Sequence, residues 1–131
     1  MWPDIARRRR PILEAIVLEI DILENEDYTL IQPSGELDAY TVGTFREALA
    51  RLADQGDLLI DLSQVSFMDS AGLGALIGGI RLSREAEHAV AVACNKPQLV
   101  RLLHTTGFDR IVPVSDSLEE AEDALLAPDD E

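Results

Sequence analysis

A hydroxyl, a carboxylate and closely spaced glycines come together in Ser66-Phe67-Met68-Asp69-Ser70-Ala71-Gly72-Leu73-Gly74-Ala75-Leu76. A hydroxyl at Ser70 stands where a strand-like run, Leu58–Leu62, gives way to a helix with Leu73, Leu76, Ile77 and Ile80 at i, i+3, i+4 and i+7. As an N-cap, that serine would accept one of the backbone N–H groups that the first helical turn leaves unpaired. As a phosphoacceptor, it would place a phosphate against the same N–H groups and the positive end of the helix dipole.

Two enzymatic or ligand-binding readings compete for the same residues. A serine nucleophile would need His88 or His104 as an oriented base, and it commonly sits on a glycine-flanked turn; Ser70 instead follows Asp69. A nucleotide site could be read from Gly72-x-Gly74-x-x-x-Gly78, but in that fingerprint the first glycine follows the strand directly, and here Ser63–Ser70 intervenes. A helical wheel turns Ala71, Gly74, Ala75 and Gly78 away from the Leu73–Ile80 stripe. Interior glycines cost about 1 kcal/mol each relative to alanine, so this bare face calls for close packing within the fold or for a docked partner. The Cys and His residues lack metal-ligand spacing, and neither a metal nor a cofactor is expected.

Periodicity gives the strands and helices on either side of Ser70. Ala15–Leu23 alternates apolar and acidic residues as a half-buried strand, and Tyr28–Gln32 is its hairpin partner, with Pro33 marking an irregularity or a solvent-facing edge. Asp38 begins the turn into a helix over Thr41–Ala53. Leu58–Leu62 is a strand covered on both faces, and the helix from Ser70 ends near Ala86-Glu87-His88. Ala89–Cys94 is a further strand, a helix opens at Pro97 and stops at Gly107, Ile111–Val114 is a last strand, and a serine in Ser115–Ser117 caps a helix through Leu126. Successive strand-helix-strand units give a parallel portion, to which the opening hairpin adds an antiparallel one.

The 131 residues suffice for one domain with a single core, and 47% of them are apolar. A formal net charge of −14 excludes direct nucleic-acid binding as a main activity, since that affinity comes from neutralising phosphates. The single cysteine, Cys94, sits in an apolar run and reads as a buried thiol in a reducing compartment. Arg7–Arg10 precede a segment carrying Glu14 and Glu19, so they do not open an export signal, and no segment is apolar for the length of a membrane span. The chain is expected in the cytoplasm. It divides into a flexible basic arm over 1–14, a domain over 15–126 and an acidic tail over 127–131.

Phe67-Met68-Asp69-Ser70-Ala71-Gly72-Leu73-Gly74, with Gly35-Glu36-Leu37-Asp38 upstream and Leu102-Leu103…Gly107-Phe108 downstream, resembles the STAS-domain anti-sigma factor antagonists of bacteria. The resemblance implies an α/β fold with a STAS-like mixed sheet of about five strands and about four helices packed mainly on one side. It implies a non-enzymatic protein that, unphosphorylated, binds an anti-sigma factor that is usually a serine kinase and so frees a sigma factor. The kinase uses ATP and Mg²⁺, and a serine phosphatase resets the system. Carried onto this chain, the phosphoacceptor is Ser70, and the partner-binding residues are Asp38, Asp69, Ser70, Ala71, Gly72 and Gly74. A monomer or weak dimer is implied. Ala71 stands where many relatives carry a second hydroxyl, and Ala86-Glu87-His88 where relatives often have paired glycines. The alternatives are a STAS scaffold or sensor subunit of a larger assembly, and a small-ligand or nucleotide-binding STAS module.

Overall fold

The computed structural model describes residues 18–127. The 1–14 arm, the first residues of the expected opening strand and most of the acidic tail lie outside them. Among the described residues, six strands and four α-helices follow in the order β1 (Glu19–Glu24), β2 (Thr29–Leu37), α1 (Val42–Leu52), β3 (Leu58–Asp61), β4 (Val65–Met68), α2 (Ser70–Glu85), β5 (Val90–Ala93), α3 (Pro97–Thr105), β6 (Val114–Ser115) and α4 (Leu118–Leu126). The sheet runs β1-β2-β3-β5-β6, with β4 paired to the second half of β2. Only the β1–β2 hairpin is antiparallel.

Alternation along the strands sorts the side chains to two faces. Ile31, Leu58, Ile60, Val90 and Val92 join Phe45, Leu49, Leu76, Ile80, Leu99, Leu103 and Phe108 in the main core, so α1, α2 and α3 cover one face. Leu59, Ala91 and Ala93 point the other way and are covered by Ala121 and Leu125 of α4. Three helices on one face and one on the other match the expected layering. Cys94 is buried at the end of β5, as its apolar neighbours indicate, and that burial raises its thiol pKa.

The expected five-strand order omits β4. This strand has four residues, and its two central ones, Ser66 and Phe67, are both exposed, so it carries no period-two signal. It forms because β2 runs past β3: β2 pairs with β3 through Ile31 and with β4 from Gly35. Pro33 lies in the gap. The N–H groups of Thr29 and Gly35 reach Asp57 O (3.0 Å) and Gln64 O (3.1 Å) on that side, and Pro33, which lies between them on the same alternation, falls where no acceptor strand is adjacent. The irregularity expected at Pro33 is thus this gap, together with a register shift between Gly35 and Glu36 where Gly35 has φ +121°.

Two other expectations shift. The last strand is Val114–Ser115, because Phe108–Arg110 close into a 3₁₀ turn after Gly107, whose φ of +80° ends α3. The turn after α2 places Glu87 at φ +69°, a left-handed backbone that favours glycine.

Candidate functional site

Every parallel strand ends at the same edge of the sheet, and β2 and β4 deliver their chains side by side into α1 and α2. Leu37 pairs with Met68, and the Asp69 N–H donates to Leu37 O at 3.2 Å. Asp38 and Asp69 therefore follow equivalent positions of two adjacent strands, each at the mouth of a helix. The pairing brings together what 30 residues of sequence separate.

Asp69 is the residue that starts α2. Its backbone is extended and its Oδ1 accepts the Gly72 N–H at 3.0 Å, while Leu73 N–H reaches Asp69 O at 2.9 Å. This corrects the expectation that Ser70 is the N-cap. A carboxylate one residue earlier satisfies the same donors and interacts more strongly with the helix dipole. Ser70 becomes the first helical residue, exposed, with its hydroxyl left out of the cap.

Asp38 closes the turn that leads into α1, whose N-cap is Thr41. Its Oδ1 accepts the N–H groups of Tyr40 (2.9 Å) and Thr41 (3.1 Å), and Thr41 Oγ1 donates to Glu36 O at 2.6 Å. The carboxylate is half-buried in this turn. Tyr40 is left 91% exposed beside it, and Phe67 of β4, paired with Glu36, is 49% exposed. Neither aromatic was assigned a role from the sequence. An aromatic within a helix-starting turn was the available signal for Tyr40, whereas Phe67 becomes a surface residue only through the β2–β4 pairing.

The glycines of α2 divide into two kinds. A Cβ at Gly72 would stand 2.3 Å from Leu37 O, and one at Gly79 would stand 2.4 Å from Leu49 Cδ1, so these two let α2 press onto the end of β2 and onto α1. Gly74 and Gly78 have nothing within 4 Å of the same position and face open space. Among the residues expected on the bare face, Ala71 is half-buried, Gly74 is exposed and Gly78 half-exposed. Ala75 is only 1% exposed, so it belongs to the core, since the helix is buried over a wider arc than the four-leucine-and-isoleucine stripe alone indicates.

The candidate bases stand elsewhere. His104 occupies the last turn of α3, 2.9 Å from Asp109, and His88 lies between α2 and β5, 3.7 Å from Asp57. Both positions are at the amino-terminal edge of the parallel strands, opposite the edge that carries Ser70, so the arrangement offers no Ser-His pair. Among the described residues, no cluster of His, Cys, Asp and Glu is disposed to hold a metal, and no helix is long and apolar enough to cross a membrane.

The STAS-domain family model matches residues 19–121. The chain belongs to the STAS-domain family. It is 34% identical over 99 residues to the anti-sigma-B factor antagonist of Bacillus subtilis (strain 168), a match covering 75% of this chain and 91% of the relative. Among solved structures, an anti-sigma factor antagonist from Mycobacterium paratuberculosis superposes with TM-score 0.76 at 25% identity, covering 82% of this chain and 93% of that one. The Bacillus cell fate determinant SpoIIAA in its phosphorylated form shares the fold, with TM-score 0.62 at 21% identity over 80% of this STAS domain chain and 97% of its own. The mixed sheet and helix layering described above are those of the family.

Proposed function

We propose that this STAS domain is an anti-sigma factor antagonist: unphosphorylated, it binds an anti-sigma factor that is also a serine kinase, and phosphorylation of Ser70 ends the complex. The observation that carries this reading is the position of Ser70, exposed at the first turn of α2 while Asp69 does the capping. The hydroxyl is free to be modified without dismantling the helix start. Gly74 lies one turn further along α2, and exposed Phe67 and Tyr40 belong to the paired ends of β4 and β2 and the turn that follows, so aromatic rings and bare backbone suited to close contact with a protein occur at this edge of the sheet.

A phosphate adds a charge of about −1.5 to −2 at pH 7. On Ser70 it would join Asp69, whose carboxylate already takes the Gly72 N–H, and Asp38 at the end of the neighbouring strand. The helix terminus tolerates the added anion, so the fold is kept, while the surface presented to the partner turns from a neutral hydroxyl into a concentrated negative charge. The switch is local. In this reading Asp38, Asp69, Ala71, Gly72 and Gly74 shape the docking surface, Gly72 from beneath by holding α2 against Leu37.

The chain itself performs no catalysis in this scheme; ATP and Mg²⁺ belong to the kinase, a serine phosphatase reverses the modification, and all three act in the cytoplasm. The test is incubation with the cognate anti-sigma kinase and Mg-ATP. Label is expected on the wild type and absent from Ser70→Ala, and binding of the unmodified protein is expected to fall for Ser70→Glu. Equal labelling of wild type and Ser70→Ala overturns the site, and failure of the unmodified protein to bind overturns the function.

A further inference from the structure

The face of the sheet opposite α1, α2 and α3 is only partly covered. Ile20 and Ile22 of β1 pack toward the main core, so Glu19, Asp21 and Leu23 alternate onto the other face, where all three are exposed. Across from them stands α4, tied to the hairpin by Tyr28 Oη donating to Glu122 Oε2 at 2.8 Å. Glu119 and Leu126, three residues before and four after Glu122, share that side of the helix. Half-buried Leu30 of β2 lies between the two walls. The result is a trough with acidic walls and two exposed leucines, Leu23 at 57% and Leu126 at 45%.

Charge is sharply segregated around this trough. Neither β1, β2, the turn that joins them nor α4 contains a single Lys or Arg. The basic residues of 18–127 are Arg46, Arg51, Arg81, Arg84, Lys96, Arg101 and Arg110, all on or beside the helices and turn of the opposite face. The remaining cations of the chain are the consecutive Arg7–Arg10, joined to the trough's own edge strand through 11–17, which carry Ile12, Leu13, Ile16 and Val17. From Leu18 back to Arg10 is eight residues, a reach of up to roughly 26 Å, against roughly 20 Å for the length of β1.

We propose that the segment amino-terminal to β1 folds back into the trough between β1 and α4, with Arg7–Arg10 paired to its acidic walls and apolar residues of the segment laid over Leu23 and Leu126. The occupant matches the surface in both respects that decide docking: four positive charges meet a wall whose own elements carry no Lys or Arg, and the apolar side chains cover exposed leucines. The tether makes the encounter intramolecular, which raises the effective concentration of the arm at this face.

Trp2 is the chain's only tryptophan, and it reports on the arm in the full-length protein. Docking predicts slow acrylamide quenching and high anisotropy of Trp2 at about 0.05 M NaCl, with quenching rising roughly twofold at about 0.5 M as screening weakens the ion pairs. Replacing Arg7–Arg10 by Gln in the full chain is expected to give the same rise at low salt and to shift the backbone amide NMR signals of Glu19, Asp21, Leu23, Leu30 and Leu126, leaving the signals around Ser70 in place. The combined variant Glu19→Lys, Asp21→Lys, Glu119→Lys, with its melting curve as a control for folding, is expected to release Trp2 equally. Unchanged trough signals in the arginine variant overturn the proposal. Trough signals that revert on dilution, together with a dimer in sedimentation, overturn it in favour of docking on a second copy. Trp2 immobilised only by added anionic lipid vesicles overturns it in favour of a membrane surface.

Discussion

Gly72 meets the backbone of Leu37 so closely that a Cβ would lie 2.3 Å from its carbonyl oxygen. The strand end that carries Asp38 and the helix start that carries Ser70 are held together by the absence of a side chain. Two glycines only two residues apart therefore have opposite mutational signatures. Gly72→Ala is expected to destabilise the fold by about 1–3 kcal/mol, because backbone must move to admit the methyl group. Gly74→Ala fills open space and gains helix propensity, so it is expected to stabilise by about 0.5–1 kcal/mol while weakening the anti-sigma complex. Denaturant unfolding checks the first pair of signs, and titration with the partner checks the last; unchanged affinity in Gly74→Ala would remove Gly74 from the docking surface.

The cap assignment separates Asp69 from Ser70. Asp69→Ala removes the acceptor for the Gly72 N–H and is expected to cost about 1 kcal/mol of stability. Ser70→Ala, at an exposed first-turn position, is expected to leave stability within about 0.5 kcal/mol. Chemical denaturation of the two variants decides it, and the reverse ranking would return the capping role to Ser70.

Ser83 Oγ is fully buried within α2 and has no hydrogen-bond partner among the described residues. Removing it relieves the desolvation of an unpaired hydroxyl and improves helix propensity, so Ser83→Ala is expected to raise stability by about 1 kcal/mol. A lower unfolding midpoint for this variant would show that the hydroxyl is satisfied in solution.

Glu87 holds a left-handed backbone, φ +69°, in the turn between α2 and β5. Glycine adopts that conformation without the Cβ penalty, and Glu87→Gly is expected to stabilise by up to about 1 kcal/mol despite its larger entropy loss on folding. Equilibrium unfolding reads the sign directly.

Tyr28 has its phenol pKa raised, first by donating to Glu122 and then by burial. A folded pKa above the unfolded value means that the folded chain retains a proton the unfolded chain loses. The contribution is complete below the unfolded pKa of about 10 and disappears as pH rises through the folded one. Stability measured by urea unfolding is expected to fall over that alkaline window in the wild type and to fall less in Tyr28→Phe. Parallel curves for the two proteins would show that the Tyr28–Glu122 bond does not persist in solution.

The order of helices, the central buried strands, the burial of Cys94 and the junction at Ser70 were all legible in the sequence, because each rests on local periodicity or on turn chemistry within a few residues. The tertiary structure alone decided what happens at that junction. It paired β4 with the far half of β2, a contact between short segments with no alternation to announce it, and so set Asp38 beside Asp69. It also divided four similar glycines into Gly72 and Gly79, pressed against Leu37 and Leu49, and Gly74 and Gly78, open to a partner. A helical wheel gives the direction of a missing side chain, but what occupies that direction depends on residues distant in the chain. The same reason separates the histidines from Ser70: strand direction, fixed by pairing, puts them at opposite edges of the sheet.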